Sequence, residues 1–314
     1  MKKNLLSIGD LTQQEIFQLI ELATKLKKKP IQSLLTGKTL GILFTKSSTR
    51  TRVSFEVGIF QLGGYAIFLE PQTLQLQRGE TIEDTVRVLS RYLNAIVVRT
   101  YEHDELKAIA QASDIPVING LTDRFHPCQV LSDLLTIKEK RGTLEDLHVI
   151  FVGDGCNNIA HSWLMASALL GIQLTVASPP AYWPDSEIVR NAVKLSSQGS
   201  SFFQATSDLE GSIKDADVVY TDVWVSMGQE QEREKRLKDL APYQLNAKLL
   251  SQAKKDVLVM HCLPAHRGEE ITDEILDGPN SIIYDQAENR LHMQKAIMLE
   301  LMGDWQAMKQ QKEL

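Results

Sequence analysis

The sequence predicts an α/β fold of two domains, each a parallel sheet flanked by helices, joined by interdomain helices. Its 314 residues are about twice the length of a common single domain. Short apolar runs alternate with stretches of helical spacing, and that βαβ rhythm implies parallel strands covered on both faces. The rhythm comes as two series, one closing near residue 135 and one opening near residue 147.

Taken in order, Thr12 and Glu15 form a capping-box pattern ahead of Ile16, Leu19, Ile20, Ala23 and Leu26, so a helix is expected over 12–26. Strands follow at TLGILF (39–44), YAIFL (65–69), AIVVR (95–99) and PVIN (116–119), with helices over 50–62, 81–93 and 103–112. Residues 127–141, with Leu131, Leu134 and Leu135 on one side, read as a helix bridging the halves. The second series has strands at HVIFVG (148–153), QLTVAS (173–178), DVVYTDVW (217–224), DVLVMHC (256–262) and SIIYD (281–285). A last helix over 291–312 is expected to return to the first domain. The domains are then 1–135 plus 291–314, and 136–290.

Residues 155–184 contain no Asp, Glu, Lys or Arg, but Asn157, Asn158, His161, Pro179 and Pro180 fit a buried helix and strand better than a membrane span. The run EQEREKRLKDL (230–240) reads as a solvated helical face. A net charge of -6 without a long basic block argues against nucleic acid as a partner. Cys128, Cys156 and Cys262 are odd in number and form no CxxC pair, which disfavours a disulfide framework or zinc knuckle and suits a reducing cytoplasm. The opening MKKNLLSIGD meets Asp10 before reaching signal-peptide length, so neither export nor a membrane partner is expected.

Chemistry concentrates where strands end. After TLGILF, the stretch from Lys46 to Arg52 packs three cations and four hydroxyls into seven residues ahead of a helix. Helix starts attract anions, so Ser48, Thr49, Arg50 and Thr51 suit a phosphate. His126 and Gln129, three apart at a helix opened by Pro127, suit polarisation of a carbonyl oxygen. Gly153, Asp154 and Gly155 invite a dinucleotide reading, which the missing third glycine weakens; Asn157 and Asn158 suit helix capping or the polar end of a small substrate. Asp222 and Cys262 lie at ends of strands expected to be neighbours, so they could converge. A Cys–His pair is conceivable, but His261 and Cys262, being consecutive, are expected to point to opposite faces of a strand, which leaves His266 as the geometrically possible partner.

Taken together, SSTRTRVSFE (47–56), FHPCQ (125–129), DVWVSMG (222–228) and HCLPAHRGEE (261–270) resemble the aspartate/ornithine carbamoyltransferase family, in order and over almost the whole chain. The first two motifs are shared by both branches, and the last two are similar to the ornithine-specific branch. The resemblance implies an N-terminal carbamoyl-phosphate domain, a C-terminal amino-acid domain and homotrimers with sites at subunit boundaries. By that likeness Ser48, Thr49, Arg50 and Thr51 bind phosphate, Arg99 contacts carbamoyl phosphate, and His126 and Gln129 hold its carbamoyl group. Gln75 stands where the family places a glutamine from the neighbouring subunit, with Gln77 where relatives often have Gly. Asn158, Asp222, Ser226 and Met227 hold L-ornithine, and Cys262, Leu263 and Arg290 complete the site.

The implied reaction is direct attack of the ornithine δ-amine on the carbamoyl carbon through a tetrahedral intermediate, giving L-citrulline and phosphate without cofactor or metal. Cys262, helped by Asp222, takes the ammonium proton, and Arg50, Arg99 and His126 stabilise the developing charge. The same pocket serves arginine synthesis or citrulline breakdown. Two rivals are weighed against this reading. Another amine such as putrescine is disfavoured by the SMG motif, and a nicotinamide-dependent oxidoreductase or non-catalytic module is disfavoured by the broken glycine pattern.

Overall fold

The computed structural model describes residues 3–70, 79–226 and 228–303. Gln75 and Met227 lie outside the described residues, as do positions 304–312 of the expected final helix. Two compact units divide the chain, 1–135 with 288–314, and 136–287.

In the first unit the order is α1 (Gln13–Lys28), β1 (Thr39–Phe44), α2 (Thr49–Gln61), β2 (Tyr65–Leu69), α3 (Ile82–Leu89), β3 (Ala95–Arg99), α4 (His103–Ala112), β4 (Val117–Leu121) and the start of α5 (Pro127–Arg141). The capping box of α1 is formed, Thr12 accepting the Glu15 N–H and the Glu15 carboxylate accepting the Thr12 N–H at 2.8 Å. All strand pairs are parallel, in the order β2-β1-β3-β4. Burial explains why these strands were legible. Every residue of β3 is buried, as is β1 after Thr39, so helices cover both faces of the central strands, whereas β2 at the edge is partly exposed.

The second unit holds β5 (His148–Val152), α6 (Asn158–Leu170), β6 (Gln173–Ala177), α7 (Ser186–Leu195), β7 (Phe203–Thr206), β8 (Val218–Thr221), α8 (Arg233–Leu240), β9 (Leu258–His261) and the first turn of α9 (Ile283–Met302). Its parallel order is β7-β6-β5-β8-β9. Sequence reasoning does not foresee β7, a four-residue edge strand of mixed polarity. The strand expected at 281–285 is absent: Ser281 makes a single bridge to Val259, and α9 starts at Ile283. The β-branched pair Ile282 and Ile283 is buried at a helix start, where Asp285 in the first turn complements the dipole. The final helix therefore begins eight residues before the expected position 291. Within the first unit, the buried Lys295 of α9 donates to the Leu26 and Pro30 carbonyls and the Gln61 amide oxygen, matching three acceptors to its three N–H groups.

Each sheet reverses direction once. In the first, β2 and β3 flank β1; in the second, β6 and β8 flank β5. In open α/β sheets, ligands bind beyond the carboxyl ends of strands at such switch points. The candidate residues sit at both.

Candidate active site

Phe44 of β1 is in register with Arg99 of β3, and Arg99 with Leu121 of β4, so these three strands end together. The turn after β1 leads into α2 with Ser48 as its N-cap. The Ser48 hydroxyl accepts the Thr51 N–H at 3.3 Å and donates to Thr51 Oγ1 at 3.0 Å. Thr51 is fully buried and also accepts from Arg290 Nη2 at 2.6 Å, while Thr49 and Arg50 face solvent. A helix start leaves its first N–H groups without intrahelical carbonyls, so the Thr49 and Arg50 amides supplement the Arg50 guanidinium as anion donors.

His126 precedes α5 and is 4% exposed. Burial, with the positive charges of Arg290 and Arg99 adding to it, holds its pKa well below the ordinary imidazole value, so the ring is neutral at pH 7. A neutral imidazole next to two guanidiniums is suited to donating a hydrogen bond without adding a third charge. Ser48, Thr51, Arg99, His126 and Arg290 are thus linked by bonds or by electrostatics within the first unit. Gln129 is buried and donates Nε2–H to Asp133 Oδ1 at 2.9 Å. Asp133 went unnoticed in the sequence, although an Asp four residues after a Gln on an apolar helix face was the available signal. Burial pushes the neighbouring Cys128 thiol up to about 12, which makes it inert.

His103, at the start of α4, is 5% exposed, lies 3.1 Å from Thr122 Oγ1 and packs edge-on against Phe125. Burial first, then Lys107 and Arg124, lower its pKa to about 4 against the opposing pull of Asp123 and Asp104. The unfolded chain binds a proton from about pH 6.5 downward that the folded chain refuses until about pH 4. Folding is therefore penalised as pH falls across that window, by about 3 kcal/mol at its foot. His103→Gln is expected to flatten the fall of the urea midpoint between those pH values, and an unchanged slope would contradict the assignment.

In the second unit Thr221 of β8 is in register with His261 of β9, which sets Asp222 and Cys262 side by side just past the strand ends. The Cys262 thiol donates to Asp222 Oδ1 at 2.9 Å. Burial lifts Asp222 above the usual carboxylate value, against the pull of His261, the Cys262 hydrogen bond and the Val223 N–H. Asn157 is the N-cap of α6, accepting the Ile159 and Ala160 N–H groups, and its Nδ2 lies 3.4 Å from Asp222 Oδ2. Asn157 thus reaches the carboxylate. The Ser226 N–H is bonded to Gln229 Oε1 at 3.0 Å.

His261 and Cys262 do not diverge as consecutive strand residues would, because β9 ends at His261 and Leu263 takes a left-handed φ of 58° before the cis peptide to Pro264. The Leu263 N–H donates to His261 Nδ1 at 2.9 Å, so Nε2 carries the proton and gives it to the buried Glu270 at 3.0 Å. Asp222, His261 and Cys262 offer ligand atoms within 4.8 Å of one another, but both imidazole nitrogens are committed, which makes the trio a poor metal site. His266 pairs with Glu269 at 3.5 Å. The charged run is also more than a solvated face: Arg236 is 8% exposed and paired with buried Asp154 at 2.8 Å. Gly153 has a φ of 116°, and a Cβ at Gly155 would lie 2.5 Å from Val176, so these glycines serve a tight turn against the sheet.

The family models for the aspartate/ornithine carbamoyltransferase carbamoyl-P binding domain and Asp/Orn binding domain match residues 3–139 and 145–301. An ornithine carbamoyltransferase of Methanoculleus marisnigri is 51% identical over 307 residues, 96% of this chain and 98% of that protein. The relative from Pyrococcus furiosus described as "Ornithine carbamoyltransferase, anabolic" is 50% identical over 306 residues, 96% of each chain. A solved ornithine carbamoyltransferase structure from the same organism superposes with a TM-score of 0.91 at 50% identity, covering 96% of this chain and 97% of that one.

Proposed function

Because the chain belongs to the aspartate/ornithine carbamoyltransferase family, we infer that it transfers the carbamoyl group of carbamoyl phosphate to the δ-amine of L-ornithine, releasing L-citrulline and phosphate. The observation that carries the choice of acceptor is the Cys262–Asp222 hydrogen bond. An amine of pKa about 10.4 is protonated at pH 7, and freeing it costs about 4–5 kcal/mol in water. The acceptor subsite therefore needs a base. Since the thiol is already donating, the open proton position is on Asp222. The ammonium proton passes to sulfur as the thiol proton passes to Oδ1, which leaves a neutral amine, a thiol and a carboxylic acid. Burial makes Asp222 a stronger base than an exposed carboxylate.

The free amine then forms the C–N bond, and the tetrahedral intermediate expels phosphate by breaking its C–O bond, the excess proton on the attacking nitrogen leaving with the phosphate. Ser48, Thr49, Arg50, Thr51, Arg99 and Arg290 are assigned to the phosphate and its developing charge, with Gln75 of a neighbouring copy. His126 is assigned to the carbonyl oxygen, where a neutral donor is wanted. Asn158, Ser226 and Met227 are assigned to the α-amino acid end of ornithine. The direction assigned is citrulline formation for arginine synthesis, in a cytoplasmic setting that suits the free thiols Cys128, Cys156 and Cys262. No helix among the described residues is long and apolar enough to cross a membrane.

A homotrimer is assigned as well. Val53, Val57 and Phe60 recur at i, i+4 and i+7 on α2 and are exposed, Phe60 at 72%, and Tyr65 and Ile67 are exposed on one side of the edge strand β2. One preparation tests both assignments. Citrulline and phosphate are expected in equal amounts only when L-ornithine and carbamoyl phosphate are both present, with putrescine a poorer acceptor and L-aspartate inactive. Light scattering is expected at three times 35.3 kDa. A trimer that makes no citrulline would refute the reaction.

A further inference from the structure

We propose that Asp133 is the positioning residue that fixes which way the Gln129 amide faces, holding its oxygen toward the carbamoyl group that the family resemblance already assigns to Gln129. This rests on the assignment of carbamoyl phosphate to the first unit.

The argument is one of donors and acceptors. Gln129 is 1% exposed and Asp133 is fully buried, one helical turn apart on α5, joined at 2.9 Å. A carboxylate only accepts hydrogen bonds, so Gln129 must offer Asp133 its NH2 group. The amide oxygen is then turned the other way. Gln129 Oε1 is buried and has no hydrogen-bond partner among the described residues. A buried acceptor left unmet is costly, so this oxygen is poised for a donor that arrives with the substrate.

Carbamoyl phosphate supplies that donor. Its carbamoyl group carries a carbonyl oxygen and an NH2 on the same carbon. His126 and Gln129, three residues apart, present a neutral imidazole for the former and an amide oxygen for the latter. The sequence expectation that both polarise the carbonyl is thereby divided: His126 keeps that task, and Gln129 reads the amino group. Acetyl phosphate has a methyl group of similar size in place of NH2 and would leave Oε1 unsatisfied. Sites built to hydrogen-bond a substrate N–H discriminate strongly against analogues lacking it.

Asp133→Asn keeps the size and removes the constraint, because an asparagine can donate or accept and lets the Gln129 amide turn over. The test measures the KM for carbamoyl phosphate and the inhibition constant of acetyl phosphate in wild type, Asp133→Asn, Gln129→Ala and the double variant, with folding checked by circular dichroism. Asp133→Asn is expected to raise the KM about tenfold and to change acetyl phosphate binding less than about twofold, narrowing the discrimination about tenfold. Its effect is expected to vanish in the Gln129→Ala background. Unchanged discrimination, or an equal effect of Asp133→Asn with and without the Gln129 amide, would overturn the proposal. If Asp133→Asn does not fold, Asp133→Ser is put through the same cycle and judged by the same outcomes. A wild type that makes no citrulline would sink the underlying reaction, whereas an active wild type with flat Asp133 variants would sink only this inference.

Discussion

Asp222→Asn is expected to lower kcat by about 10²–10⁴, the usual scale for losing a positioned proton acceptor. The amide keeps the shape and still accepts the Cys262 thiol, now bonded to Asp222 Oδ1 at 2.9 Å, so packing is largely retained and the base is removed. The pH profile separates this from a structural effect. With no internal base the variant depends on the small fraction of ornithine that is already a free amine. That fraction grows about tenfold per pH unit until the amine pKa near 10.4. The residual rate should climb accordingly, while the wild type, drawing on Asp222, climbs less steeply. The KM for carbamoyl phosphate should move little. A variant uniformly slow from pH 7 to 10 would contradict the assigned role.

The fold was legible where burial on both faces writes a continuous apolar run. Leu40 to Phe44, Ala95 to Val98 and Val149 to Val152 read as strands because no solvent-facing position interrupts them. Ile282 and Ile283 misled for the complementary reason. Side-chain type signals burial and β-branching, but whether the backbone continues as strand or turns into helix depends on the single bridge that Ser281 makes to Val259, a partner remote in sequence.

The polar residues divide in the same way. Capping by Thr12 and Asn157 is local and was readable. The Asp154–Arg236 pair spans 82 positions, and nothing local marks Arg236 as the one buried cation of its charged run. His261 was expected to point away from Cys262 because strand alternation was extended past the last strand residue. Strand pairing stops at His261, and Leu263, just past Cys262, turns and hands its N–H to the imidazole. Asp133 lies only four residues from Gln129, so it was within reach of a local argument about donors and acceptors.

Arg50→Ala is expected to raise the KM for carbamoyl phosphate by about 10²–10³, the scale of losing a forked, charge-assisted contact to a phosphate. The structure separates this effect from folding. Arg50 faces solvent in the first turn of α2 and forms no part of the cap, whereas Thr51 is fully buried and bonded to both Ser48 and Arg290. An exposed cation at a helix N-terminus is mildly unfavourable with the dipole, so its removal should leave the melting temperature unchanged or slightly raised. Thr51→Val, by contrast, leaves the Arg290 guanidinium short of a buried acceptor and should lower it. Arg50→Lys should recover only part of the affinity, because an ammonium restores the charge without the fork. The inhibition constant of inorganic phosphate should follow the KM in each variant. If Arg50→Ala bound phosphate and carbamoyl phosphate as the wild type does, the turn after β1 would not be the phosphate cradle.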